Sequence, residues 1–173
     1  MNSETSSRPR WAIIALAAIC LLWAGMVLGI SCFETPIKFT APSLKQAVAP
    51  EIGRAIALDI GRVVFEAFSK IQIVWSVLTV LLLMVVRPFE KTPRAIGVLF
   101  ALVWPIVAFQ SIVLMPALSQ RAQLVLSNPM QKLPPAPYHA LFTSTELIKL
   151  IALIWLGVLL IKAVAACEEP ATV

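Results

Sequence analysis

The sequence predicts an all-α fold: an integral membrane four-helix bundle, with an amphipathic helix ahead of its second membrane helix. Two observations carry that expectation. Of the 173 residues, 60% are hydrophobic and only 13% are charged, at a mean hydropathy of +0.90. A soluble domain of this size cannot bury so much apolar side chain, because a large share of its residues must face water. The apolar residues also gather into four stretches, each near the ~20 residues that a helix needs to cross about 30 Å of hydrocarbon. In lipid every backbone N–H and C=O must be satisfied within its own segment, so these stretches are helices and not strands. The same composition excludes an ordinary soluble enzyme, a coiled coil, a disulfide scaffold and a disordered tail.

The elements follow in order, all within one membrane domain over residues 1–173. The first helix is expected over about 11–33; residues 11–30 are uncharged and preceded by Arg8 and Arg10. A cleaved signal peptide is the alternative for this stretch. Against it, the apolar run exceeds the usual ~7–15 residues, and Gly29-Ile30-Ser31 is a poor cleavage site. Pro36, Pro42 and Pro50 punctuate the exit, each removing a helical hydrogen bond. Ile52, Ala55, Ile56, Ile60 and Val63 then recur at helical spacing. They predict an amphipathic helix over about 50–65, lying at the membrane interface or running directly into helix two. Helix two is expected over about 62–86, stopped by Arg87, and helix three over about 95–118. An outer loop over about 119–139 contains Pro129, Pro134, Pro135 and Pro137 and reads as extended. Helix four is expected over about 140–167.

Short-loop Lys and Arg set the orientation. Arg8 and Arg10 at the N-terminus and Arg87, Lys91 and Arg94 in the second loop place both termini in the cytoplasm. The setting expected is a bacterial inner membrane. The net charge of +5 is dispersed between apolar segments, so it predicts membrane anchors and no nucleic-acid partner. Lys162 is expected to snorkel at the inner end of helix four.

A register of about 80 residues relates the two halves. Glu66 and Trp75 recur as Glu146 and Trp155, Pro36 as Pro116, and Trp23 as Trp104. This predicts two parallel hairpin repeats related by an axis along the membrane normal. The four tryptophans fall about halfway along their helices, where core packing is expected rather than an interfacial belt. Gly25 and Gly29 form one small-residue face, and Gly53, Ala57 and Gly61 another; both predict close helix contact, within the chain or between copies.

Charge is expensive in hydrocarbon, so the polar residues near the outer helix ends are the candidate ligand-binding site: Glu34, Glu66, Lys70, Gln110, His139, Glu146 and Lys149. The plain structural reading is two ion pairs within helices, Glu66–Lys70 and Glu146–Lys149. The functional reading is a charged vestibule for an ion, a proton or a lipid headgroup. Catalytic motifs are missing: there is no HExxH, P-loop, GxSxG or Gly-rich dinucleotide loop. No CxxC spacing exists among Cys20, Cys32 and Cys167, which are expected to be inert thiols. Ser127 and Ser144 near His139, the single histidine, make no triad. No cofactor, metal or catalytic residue is therefore expected.

Trp23-Ala24-Gly25 leading to Phe33, the run from Pro36 through Phe39-Thr40-Ala41-Pro42, Gly61-Arg62-Val63-Val64-Phe65 opening helix two, and His139 followed by Glu146 carry a resemblance. With these residues the chain resembles the small four-helix membrane proteins grouped as domain of unknown function 4149, and their transmembrane protein 205-like relatives. The resemblance implies a multi-pass membrane protein without an assigned activity. The leading expectation is a non-catalytic binding or complex-stabilising subunit, in contact with lipid and with a second copy or a membrane-protein partner. The alternatives are a small oligomeric transporter or channel, and a lipid-headgroup enzyme using Glu66 and Glu146 as acid and base.

Overall fold

The structure is a computed structural model that describes residues 10–34, 37, 40, 49–86, 94–128, 130, 134 and 137–166. It contains four helices long and apolar enough to cross a membrane, and no strand among the described residues. Helix α1 (Arg10–Val27) continues as a π-helical turn, Leu28–Glu34. Helix α2 (Pro50–Val86) is unbroken over 37 residues. Helix α3 (Arg94–Ser127) is interrupted by a π-helical turn at Gln110–Leu114, and α4 spans Tyr138–Ala165.

One of the two arrangements expected for the amphipathic segment holds, a direct run into helix two, and the end of helix three shifts. The amphipathic segment is the first part of α2, starting at Pro50, whose missing N–H is tolerated in a first helical turn. Its Gly53, Ala55, Ala57 and Gly61 are buried, whereas Ile52, Ile56 and Ile60 are exposed. Residues 119–127, expected as loop, are helical and end α3. They hold no Gly or Pro, and Ala122 is buried in the extension that packs against α2.

The helices form a closed ring in which each packs on its sequence neighbours and α1 packs most extensively on α4. Adjacent members are antiparallel: Ser31 meets Glu146 while Leu21 meets Gly157, and Ser119 meets Glu66 while Trp104 meets Thr79. The ends at Arg10, Val86, Arg94 and Ala165 are called lower here, and the opposite ends upper.

The main core joins Leu16, Cys20 and Trp23 of α1, Phe68 of α2, Phe100 and Val103 of α3, and Leu153 and Leu156 of α4. The outward faces are apolar as well; Val74, Val98 and Ile151 are 57%, 66% and 59% exposed. Apolar residues on both faces suit a bundle solvated by lipid.

Two expectations about close packing change. Trp155 is 58% exposed and points away from the core, while Trp23 is fully buried and Trp75 and Trp104 are half-buried. Among the described residues nothing lies within 4 Å of a Cβ built at Gly25 or Gly29, so none of them packs on that small-residue face. Gly25→Ala and Gly29→Ala are accordingly expected to leave stability within about 1 kcal/mol of the native value or raise it, through helix propensity alone. Thermal unfolding in detergent measures this.

Candidate functional site

Lys149 is the centre of the candidate site. It is fully buried, and its ammonium group donates to Glu146 Oε1 at 2.6 Å, to Gln110 Oε1 at 2.7 Å and to Gln72 Oε1. An ammonium carries three N–H donors, so this set of acceptors uses all of them. Glu146 is 2% exposed and its second oxygen accepts from Ser31 Oγ at 3.4 Å. Gln110 donates through Nε2 to Thr145 Oγ1 at 2.8 Å, and the Phe68 ring lies 5.9 Å from Lys149 Nζ. The layer therefore takes a polar group from every helix: Ser31 from α1, Gln72 from α2, Gln110 from α3, and Thr145, Glu146 and Lys149 from α4.

The helical repeat brings these residues together. On α4, Phe142, Glu146, Lys149, Leu153, Leu156 and Leu160 are buried at alternating steps of three and four. On α3 the same stepping joins Ile96, Phe100, Val103, Val107, Gln110 and Leu114. On α2 it joins Phe68, Gln72, Thr79 and Leu83. Such seams face the bundle axis in antiparallel helices. The polar residues thus occupy core positions in register with Leu, Val and Phe.

Both π turns lie at this layer. In α3 the Met115 N–H bonds Gln110 O, a wider turn than the α-helix allows. Pro116 follows, with no N–H to offer the preceding turn, which is a common cause of such a distortion. Ser31 comes from the π turn of α1.

At about 1.5 Å per residue, Gln72, Gln110 and Lys149 stand about 21–24 Å from the lower helix ends, inside the ~30 Å depth of a hydrocarbon core. Isolated charge there is strongly disfavoured, but pairing plus hydrogen bonds offsets much of that cost. Below the layer, α2 presents Ser76 and Thr79. Trp104 Nε1 donates to Thr79 Oγ1 at 3.4 Å, and Thr79 Oγ1 donates to Ser76 O at 2.8 Å. Trp23 Nε1 and Ser76 Oγ are buried without a partner among the described residues. Further down, Leu16, Leu83, Phe100 and Leu160 close the axis with hydrocarbon. A shallow groove of about 380 Å³ between α2 and α3, lined by Ile73, Val77, Val80, Leu81, Trp104 and Val107, opens to the apolar exterior and includes none of the Lys149 layer.

Of the residues expected in one polar layer, Gln110, Glu146 and Lys149 are brought together. The others are not. Glu66 pairs with Arg62 at 3.1 Å and accepts from Ser119 Oγ at 3.0 Å, instead of pairing with Lys70, which is exposed. Arg62 also reaches back to Asp59 at 2.8 Å and so bridges two carboxylates, each one turn away from it. His139 is exposed at the start of α4, and the side chain of Glu34 lies outside the described residues. Glu66 and Glu146, matched in the sequence register, thus have unlike partners. Arg62→Ala is expected to cost the bundle no more than about 1 kcal/mol, since its pairs are half-exposed and the Lys149 layer does not include them; thermal unfolding measures this. Gln72 and Ser31 join the site as well; the phase of Gln72 on the buried seam of α2 was a signal, whereas the half-buried Ser31, in a π turn, had none. Cys20 is buried, while Cys167 and the side chain of Cys32 lie outside the described residues.

Among the described residues no group of three His, Cys, Asp or Glu side chains could hold a metal ion. Comparison with known proteins adds no relative: no family model, curated protein or solved structure matches the chain.

Proposed function

We propose that the chain acts as a non-catalytic membrane bundle, a binding or complex-stabilising subunit whose four helices are locked in register by the Lys149 layer. The observation that carries this reading is the saturation of Lys149: all of its donors are taken by Glu146, Gln72 and Gln110 inside the bundle. A catalytic or ligand-binding ammonium keeps a position open for its substrate. A structural one uses them all, and a polar group at a core position fixes register at some expense in stability.

The finer expectations belong to the same reading. The basic residues Arg8, Arg10, Arg87, Lys91 and Arg94 support cytoplasmic termini and a bacterial inner-membrane setting. The register of Glu66 and Trp75 with Glu146 and Trp155 supports two hairpin copies, α1–α2 and α3–α4, that have diverged at the glutamates. The resemblance to the domain of unknown function 4149 and transmembrane protein 205-like proteins supports the multi-pass architecture. A second copy or a membrane-protein partner would meet the outward faces, since the polar layer is enclosed.

A second reading, an occluded transport site, is favoured by Gln72, Ser76 and Thr79 descending one face of α2, and by the unpartnered Trp23 Nε1 and Ser76 Oγ beside that path. Proteoliposomes separate the two. Proton, Na⁺ and K⁺ flux at the level of empty vesicles is expected, with Lys149→Met unchanged in flux. Saturable flux abolished by Lys149→Met or Glu146→Gln, in protein that still inserts and folds, would replace the packing role with transport.

A further inference from the structure

We propose that Phe65 and Phe142 form a water seal over the Lys149 layer at the upper end of the bundle, a lid between the enclosed ion pair and the membrane surface. Each residue lies two turns above the group it covers: Phe65 precedes Gln72 on α2, and Phe142 precedes Lys149 on α4. Their rings meet edge to face, 5.2 Å apart at 83°. Leu114 and Met115 of α3 and the half-buried Leu118 pack with them into a small apolar cluster, which the half-buried Phe65 joins to the main core. The cluster therefore draws on α2, α3 and α4, the helices whose polar groups bind the ammonium.

The Lys149 layer is thus enclosed on two sides. Most of the main core lies below it, with Leu153 and Leu156 fully buried on α4 and Val103 on α3, while Phe68 of the same core stands one turn above Gln72, its ring 5.9 Å from the ammonium. That lower side is many side chains thick. Among the described residues the upper side is only Phe68 and this small cluster thick, and beyond it stand the half-buried Arg62, Glu66 and Ser119, joined by an ion pair and a hydrogen bond. Water reaches Lys149 more readily through the thinner side. A T-shaped aromatic contact suits this place because the rings can part by rotating about their side-chain bonds, with no backbone break. The seal would set how dry the ion pair is, and so how strongly it holds the helices together.

This inference rests on the packing reading only in needing Lys149 to be dry in the native bundle. Hydrogen exchange of the lysine side-chain NH₃⁺ groups, followed by ¹H–¹⁵N NMR of the full chain in nanodiscs, reads that dryness directly. In the native protein the Lys149 ammonium signal should exchange far more slowly than that of exposed Lys70. Phe142→Ala and Phe65→Ala should each speed it by about ten-fold or more, as local opening does. Phe142→Leu and Phe65→Leu serve where the alanine variants do not fold. Leu156→Ala, which opens space on the lower side, should leave the rate unchanged. Slow exchange unaltered in folded Phe variants, or raised equally by Leu156→Ala, would overturn the seal and leave the packing role intact. A native Lys149 signal exchanging as fast as that of Lys70 would overturn both.

Discussion

Lys149→Met alone is expected to lower the unfolding free energy of the bundle by about 3–5 kcal/mol, the size found when one partner of a buried ion pair is removed. Methionine approximates the volume of the lysine stem, so the effect is electrostatic and polar rather than a cavity. The change leaves the Glu146 carboxylate, 2% exposed, with Ser31 as its remaining polar contact among the described residues. It also strips the donor from the Gln72 and Gln110 side-chain oxygens at once. Unfolding in mixed lipid–detergent micelles, followed by the tryptophans, gives the number. A loss below about 1 kcal/mol, typical of an exposed pair, would mean that Lys149 is hydrated.

The second large effect is expected at the α1–α4 contact. A Cβ at Gly157 would stand 2.6 Å from Leu21 Cδ2 and 2.7 Å from Leu21 Cγ. Leu21 is 39% exposed, and its side chain can swing toward lipid, so Gly157→Ala should be tolerated. Gly157→Leu cannot be met by one rotamer change. It should wedge α1 from α4 and destabilise by about 1–3 kcal/mol, the usual range for overpacking. Because α1 holds Ser31 beside Glu146, the same variant should loosen the polar layer. Unfolding curves for the two variants, measured side by side, test the ordering Leu worse than Ala. Equal curves would place α1 elsewhere.

Much of the architecture is legible in the residues. Four long apolar stretches and a depleted charge count lead directly to four helices, because a lipid-solvated chain has few other solutions. The length of α2 and α3 is less legible. Ile52 to Val63 and Ser119 to Leu124 carry mixed polarity, which suits a loop, an interfacial helix or a helical extension equally. Tertiary contact decides: buried Gly53, Ala57 and Gly61 on α2, buried Ala122 on α3, and the Ser119–Glu66 hydrogen bond.

The site is half legible. Charge counting along the helices finds Glu146, Lys149 and Gln110, but it groups them by depth. Depth alone also draws in Glu66, Lys70 and His139, which sit on other faces. Phase is the better guide. Gln72, Gln110, Glu146 and Lys149 fall on the buried three-and-four stepping of their helices, Lys70 and His139 are exposed, and Trp155 falls between Leu153 and Leu156 and points outward. The repeat register hides this, since matched positions need not share a face once the halves diverge. The π turns at Leu28–Glu34 and Gln110–Leu114 shift phase locally, and nothing in composition announces them beyond Pro116.

The central claim is that Lys149 and Glu146 are one buried unit binding the four helices. A double-mutant cycle over Lys149→Met, Glu146→Leu and their combination, by unfolding in bicelles, tests it most directly. The double variant should recover much of the single-variant losses, giving a coupling energy of at least about 2 kcal/mol, because two apolar side chains replace a charge left alone. Losses that add to within about 0.5 kcal/mol would mean that the two groups do not share a site, and would contradict the account.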